Sequence, residues 1–210
     1  MHTPATPHHQ WLKRLVGEWS VVSQASMGPG QPPMKSRGRE TVRMVGDLWL
    51  VAEMVAEWPC PPTPESPTPG SPDPRDQANA SPAPGNPPPP VAMTTMRAIM
   101  TIGYDPGRAR YVGSWIGSPT PTMFVYEGEL QAAPAGGASH VVPLNTTGPS
   151  FIDPSRTAKY QDIIEFYPAP GTDPGDPSPC TGDRRVLRSQ TQGDDGAWHP
   201  FMRAEYTRLL

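Results

Sequence analysis

The chain has 210 residues, which suits one domain with a long insertion. Its net charge of -3 and pI near 5.9, with no basic stripe, argue against a nucleic-acid partner. No apolar run approaches the roughly 18 residues of a membrane-spanning helix, and two cysteines, Cys60 and Cys180, are too few for a zinc site or a disulfide framework.

The start, MHTPATPHHQ, lacks the charged head and apolar stretch of a secretory signal, so a cytoplasmic location is expected. Residues 7–16, PHHQWLKRLV, read as a short helix. Thr6 is placed to cap it and Pro7 suits its first position. Trp11, Leu12, Leu15 and Val16 form one apolar face, and Gly17 stands where a helix-ending glycine is expected.

From Gly17 onward the period becomes two. Ten strand-like runs follow, at 18–26, 36–45, 48–58, 91–104, 111–117, 123–131, 140–147, 159–167, 184–192 and 199–208. Most links between them are short, so neighbours should pair as antiparallel hairpins. Two links are long. Residues 59–90 hold 14 prolines and should be extended, with polyproline II character. Residues 168–183, PAPGTDPGDPSPCTGD, are a smaller version. Such a segment is either a proline-rich ligand for an aromatic groove or an enlarged hairpin loop, and the second reading is the simpler because long loops cost little extra closure entropy.

A short helix, then Gly17-x-Trp19, then ten antiparallel strands resembles the calycin superfamily of lipocalins, fatty-acid-binding proteins and nitrobindin-like barrels. That resemblance implies an all-β, up-and-down barrel of about ten strands, with Trp19 packed inside a closed end beneath the helix. A barrel with a lumen must be plugged at one end, and an indole fills the gap where strands splay. It also implies that Arg208, late in the last run, stacks over Trp19. Longer motifs resemble one bacterial family, domain of unknown function 1579: WLKRLVGEW, LWLVAE, TIGYDPGRARYVGSWIGS, GPSFIDPSRTAKYQDIIEF and QGDDGAWHPFMRAEY. The similarity spans nearly all of the chain outside the two proline-rich loops, where typical members need only a few residues. Members of that family often carry an acidic residue where Gly117 stands, so this chain lacks that carboxylate.

In an up-and-down barrel successive loops alternate between the two ends. The helix marks the closed end. The links after the first, third, fifth, seventh and ninth runs then lie at the open mouth: MGPGQPP, the 59–90 segment, SPTPT, GPSFIDPSRT and QGDDGAW. Cys60 and Cys180 should fall at opposite ends, unpaired.

The lumen should be lined by alternate residues. Leu48, Leu50, Ala52, Met54 and Ala56 share one face of the third run, and Met96, Ala98, Met100 and Ile102 one face of the fourth. With Trp115, such a wall suits an adaptable apolar ligand, although a filled core is the alternative. Glu40, Asp162 and Arg188 are the candidates to fix a polar end where they point inward, although an outward, solvated placement is the simpler expectation for each. At the mouth stand Ser118, Ser150, Asp194, Asp195 and Trp198. No G-x-S-x-G elbow supports Ser150 as a nucleophile, and no glycine-rich loop enters a helix to cradle phosphate. Asp194-Asp195-Gly196 reads first as a hairpin turn. Resemblance to nitrobindin raises haem, for which only His199 is near the mouth, and an exposed histidine is the expectation there. No cofactor, metal or catalytic residue is therefore assigned. The leading expectation is a small, mainly apolar ligand in the lumen. An enzyme with a polar site at the mouth, or a scaffold acting through residues 59–90, are the alternatives.

Overall fold

The computed structural model describes residues 4–26, 33–59, 93–132, 138–151, 153–172 and 178–209. One helix, α1 (Pro7–Lys13), precedes eleven strands: β1 (Gly17–Ala25), β2 (Met34–Val45), β3 (Trp49–Pro59), β4 (Met93–Asp105), β5 (Arg110–Gly117), β6 (Thr120–Gly128), β7 (Gln131–Ala132), β8 (His140–Pro149), β9 (Thr157–Tyr167), β10 (Arg184–Gln192) and β11 (Trp198–Arg208). Most of residues 59–90 lies outside the described part of the chain.

All pairings are antiparallel. β1 lies between β2 and β11, and each later strand joins its sequence neighbour. The sheet closes where Glu127 and Gly128 of β6 meet Asn145 and Leu144 of β8. The result is the expected closed barrel of ten long strands, which leaves no sheet edge open along that seam. The two-residue β7 pairs only with the start of β8, so the sixth expected run breaks before its last residues.

Helix α1 is shorter than the sequence period implied. The amides of Arg14, Leu15 and Val16 bond carbonyls three residues back, at 3.1, 3.0 and 3.2 Å. That tighter winding ends the α-helix at Lys13 while keeping Leu15 on the apolar face. Its start is closed by His9, whose Nδ1 accepts the Thr6 backbone N–H at 3.0 Å. Lys13 pairs with Asp47 of the β2–β3 turn at 2.9 Å, which places the helix and that turn at the same end.

Gly17 begins β1 at φ +134°, and a Cβ there would stand 2.5 Å from Nη1 of Arg208. Only glycine suits both the angle and the space. Trp19 follows with its side chain fully buried, and its Nε1–H donates to the Leu15 carbonyl at 2.9 Å. Leu12, Leu15, Leu50, Ile102, Tyr111, Val142 and Leu144 are equally buried and fill the closed half. Arg208 closes the bottom. It donates to Asp183 at 3.1 Å and to the carbonyls of Val16 and Arg14. Asp183 also accepts the amides of Ala169 and Cys180, each at 2.9 Å. It thereby ties the described parts of the 168–183 loop to the plug.

The loop order matches the alternation. β3 ends at Pro59, at the mouth, and Cys180 precedes β10 at the closed end with a free thiol. Cys60 lies outside the described residues.

Candidate functional site

The pleat decides which side chains enter the barrel. On β3 and β4 the inward faces are those the alternation implied: Leu50, Ala52, Met54 and Ala56, then Met96, Ala98, Met100 and Ile102. Leu48 falls in the preceding turn instead. Toward the closed end inward residues are fully buried. In the middle of the barrel the inward Met54, Met100, Trp115, Phe124, Leu187 and Met202 are only partly buried. Side chains that face inward and still meet solvent line a space; they do not fill it.

Two aromatic rings lie flat on that inner wall. A Cβ on Gly117 would come within 2.5 Å of the Trp115 indole, and one on Gly148 within 2.3 Å of the Phe124 ring. The indole of Trp115 thus occupies the space that a side chain at position 117 would take. Trp115 and Phe124 meet edge to face at 5.9 Å, and Phe124 meets Tyr160 at 6.0 Å.

Glu40 and Asp162 both point inward. Glu40 sits beside Trp19 in the β1–β2 register and is buried. Its carboxylate accepts from the buried guanidinium of Arg185, which lies 4.0 Å from the Tyr206 ring and 5.0 Å from that of Trp19. Asp162 has a different environment. It accepts the Tyr126 hydroxyl at 2.5 Å and the Ser189 hydroxyl. Burial raises its pKa, and the two hydroxyl donors offset that only in part. Burial and the neighbouring Asp162 push the Tyr126 phenol well above its ordinary value. Burial and then Glu40 act the same way on Tyr206.

Arg188 does not join them. It lies on the outer face of β10 and pairs with Glu165 of β9. Its inward neighbours in the strand are Leu187 and Ser189. Val186 and Leu187 are both apolar, so alternation alone does not say which face of β10 is inside, and the sequence named Arg188 where the structure sets Arg185 inward. Arg185, Tyr126 and Ser189 were missed for that reason and because hydroxyl side chains carry no pattern of their own.

The mouth residues form turns. Asp194 and Asp195 are exposed, in a hairpin closed by Gly193 N–H to Ala197 O at 2.9 Å. Asp195 accepts the Ala197 amide, and that bond, followed by His199, lowers its pKa. Asp194 pairs with Arg156 at 3.2 Å. The hydroxyl of Ser118 accepts the Arg97 amide at 3.1 Å, and its own amide donates to Arg97 O at 2.8 Å, extending the β4–β5 ladder. Ser150 Oγ accepts the Asp153 amide at 3.4 Å. Trp198 and His199 are exposed at the rim. These contacts shape the rim and bring no base to a nucleophile. Among the described residues no group of three or more histidine, cysteine, aspartate or glutamate side chains is arranged to hold a metal.

His8 and His9 pack on Tyr104 at the closed end, with ring separations of 3.9 and 5.8 Å. Two hollows lie off the lumen. One of about 160 Å³ borders Arg14, Phe166, Cys180 and Asp183; the other, about 520 Å³, lies on the outer wall over Trp49, Val112, Met123 and Val125.

Comparison with known families adds one finding. Residues 4–68 and 90–208 match the family described as protein of unknown function, DUF1579. The chain belongs to the DUF1579 family. The match breaks at 69–89, in the middle of the proline-rich insertion, and runs on through 168–183. No curated protein matches the chain. Among the described residues no helix is long and apolar enough to cross a membrane.

Proposed function

We propose that this DUF1579 protein is a calycin-like binding barrel that takes a small, mainly apolar molecule into the mouth-side half of its lumen. The observation that carries this reading is the ring of inward, half-buried side chains, Met54, Met100, Trp115, Phe124 and Met202, above a fully packed floor. Thioether and aromatic walls adapt to an irregular apolar body. Asp162, Tyr126 and Ser189 supply polar groups at one point of the wall, where they would orient it. An enzymatic site at the mouth has less support, because Ser118, Ser150, Asp194 and Asp195 are taken up in turn and ladder hydrogen bonds. A cytoplasmic setting agrees with the free thiol of Cys180.

The test is a neutral, environment-sensitive fluorophore titrated into the purified protein, with native mass spectrometry to detect co-purified small molecules. Saturable blue-shifted emission that is weakened in Met100→Trp, which fills the space, is the expected result. The absence of both probe binding and any co-purified species would remove the lumen reading.

A further inference from the structure

Asp162 is the lumen group whose charge is not met by another charge. The other buried acids of the interior are each paired: Arg185 neutralises Glu40, and Arg208 neutralises Asp183 at the closed end. Arg185 in turn is buried against Trp19 and Tyr206 and is committed to Glu40. Among the described lumen residues an incoming carboxylate would therefore meet no free cation, and it would meet Asp162. Asp162 itself is held by two hydroxyls, Tyr126 and Ser189. A carboxylate has about four lone-pair sites, so roughly half its accepting capacity remains.

The groups just mouthward of Asp162 follow from the register. Tyr160 occupies the next inward position on β9, and Phe124 the next inward position above Tyr126 on β6. Thr146 of β8 faces Tyr160 across the β8–β9 ladder, one inward step above Leu144, which faces Asp162. Thr146 is only 8% exposed, and its Oγ1 meets no hydrogen-bond partner. A buried hydroxyl without a partner costs free energy of order 1–3 kcal/mol. It is thus a group that a ligand donor would satisfy. Carboxylate below, a buried, unpartnered hydroxyl beside it and aromatic rings above form a surround suited to a cation: rings attract a cation over their faces, and a charge-assisted bond to a carboxylate is among the stronger hydrogen bonds.

We propose that the lumen selects an amphiphilic amine, its ammonium donating to Asp162 and Thr146 Oγ1 and its apolar body lying along Trp115, Phe124 and Met100. This rests on the lumen-binding reading above and sharpens it, since that reading alone would accept neutral or anionic ligands equally.

The test compares decylamine, decanol and decanoate at neutral pH, each displacing the neutral fluorophore, on wild type and Asp162→Asn. Wild type should hold the amine about tenfold or more tighter than decanol, the scale of one hydrogen bond to a charged group, and decanoate weakest. D162N should bring the amine close to decanol's affinity, with far-UV circular dichroism showing that the variant is folded. Thr146→Val should weaken the amine more than decanol. Equal binding of the three probes, a preference for decanoate, or an amine preference that survives in D162N would overturn the assignment while leaving a binding lumen intact. Failure of all three, with the fluorophore also unbound, removes the lumen reading and this one with it.

Discussion

The guanidinium of Arg208 lies 4.2 Å from the centroid of the Trp19 indole and donates to Asp183, joining the last strand, the first strand and the 168–183 loop at one point. Three chain segments far apart in sequence meet there, joined by one buried ion pair and one ring. Arg208→Ala would leave the Asp183 carboxylate buried and unpaired. Losing one partner of such a pair costs about 3–5 kcal/mol, and urea unfolding should show a midpoint shift of that order. Asp183→Ala should cost a similar amount, and the double variant far less than the sum. Additive losses would mean that the pair is not coupled.

Trp19→Ala removes a fully buried indole, for which the cost is about 3–5 kcal/mol. The lumen probe should still bind wherever the variant remains folded, because Trp19 belongs to the floor. Loss of probe binding in folded Trp19→Phe would assign the indole to the ligand site.

Asp162 makes stability depend on pH with a definite sign. Its folded pKa is raised by burial. Between the ordinary carboxyl value and that raised value, the folded state holds a proton that the unfolded chain has lost. Stability from this group is therefore greatest at low pH and falls as pH rises through that window. Asp162→Asn should flatten this part of the pH–stability curve, measured by urea midpoints across the acid range. An unchanged slope would place the titration elsewhere.

Removal of the long insertion should leave the barrel intact. Pro59 and Met93 are register partners at the end of the β3–β4 hairpin, so a tight turn replacing residues 60–92 spans the gap. Each halving of loop length recovers only about 0.6 kcal/mol, which makes a small rise in stability, up to about 2 kcal/mol, the expected outcome. A drop in the thermal midpoint would show that the insertion packs on the barrel.

The thiols of Cys60 and Cys180 should both react with a thiol reagent in native, unreduced protein. β3 ends at the mouth just before Cys60, and Cys180 is free at the closed end. Mass spectrometry showing two unmodified cysteines would contradict this arrangement.

Much of the barrel was legible in the chain itself. Apolar alternation, turn residues and the Gly17-x-Trp19 junction mark ten strands and a plug, because each is a local consequence of a pleated strand or a tight turn. The inward faces of β3 and β4 followed directly from that alternation. What the chain alone left open was decided by register and closure. Arg188 and Arg185 stand three residues apart in β10, and only pairing against β9 and β11 sets Arg185 inside with Glu40 and Arg188 outside with Glu165. The contact of Tyr126, Ser189 and Asp162 joins three strands across the lumen. No spacing along the sequence encodes it, because the hydrogen bonds exist only once β6 has closed on β8. Trp19 was recognisable as a plug from its neighbours in the chain; Asp162 stood among the sequence candidates for a polar end, but only the closed barrel set the hydroxyls of Tyr126 and Ser189 around it.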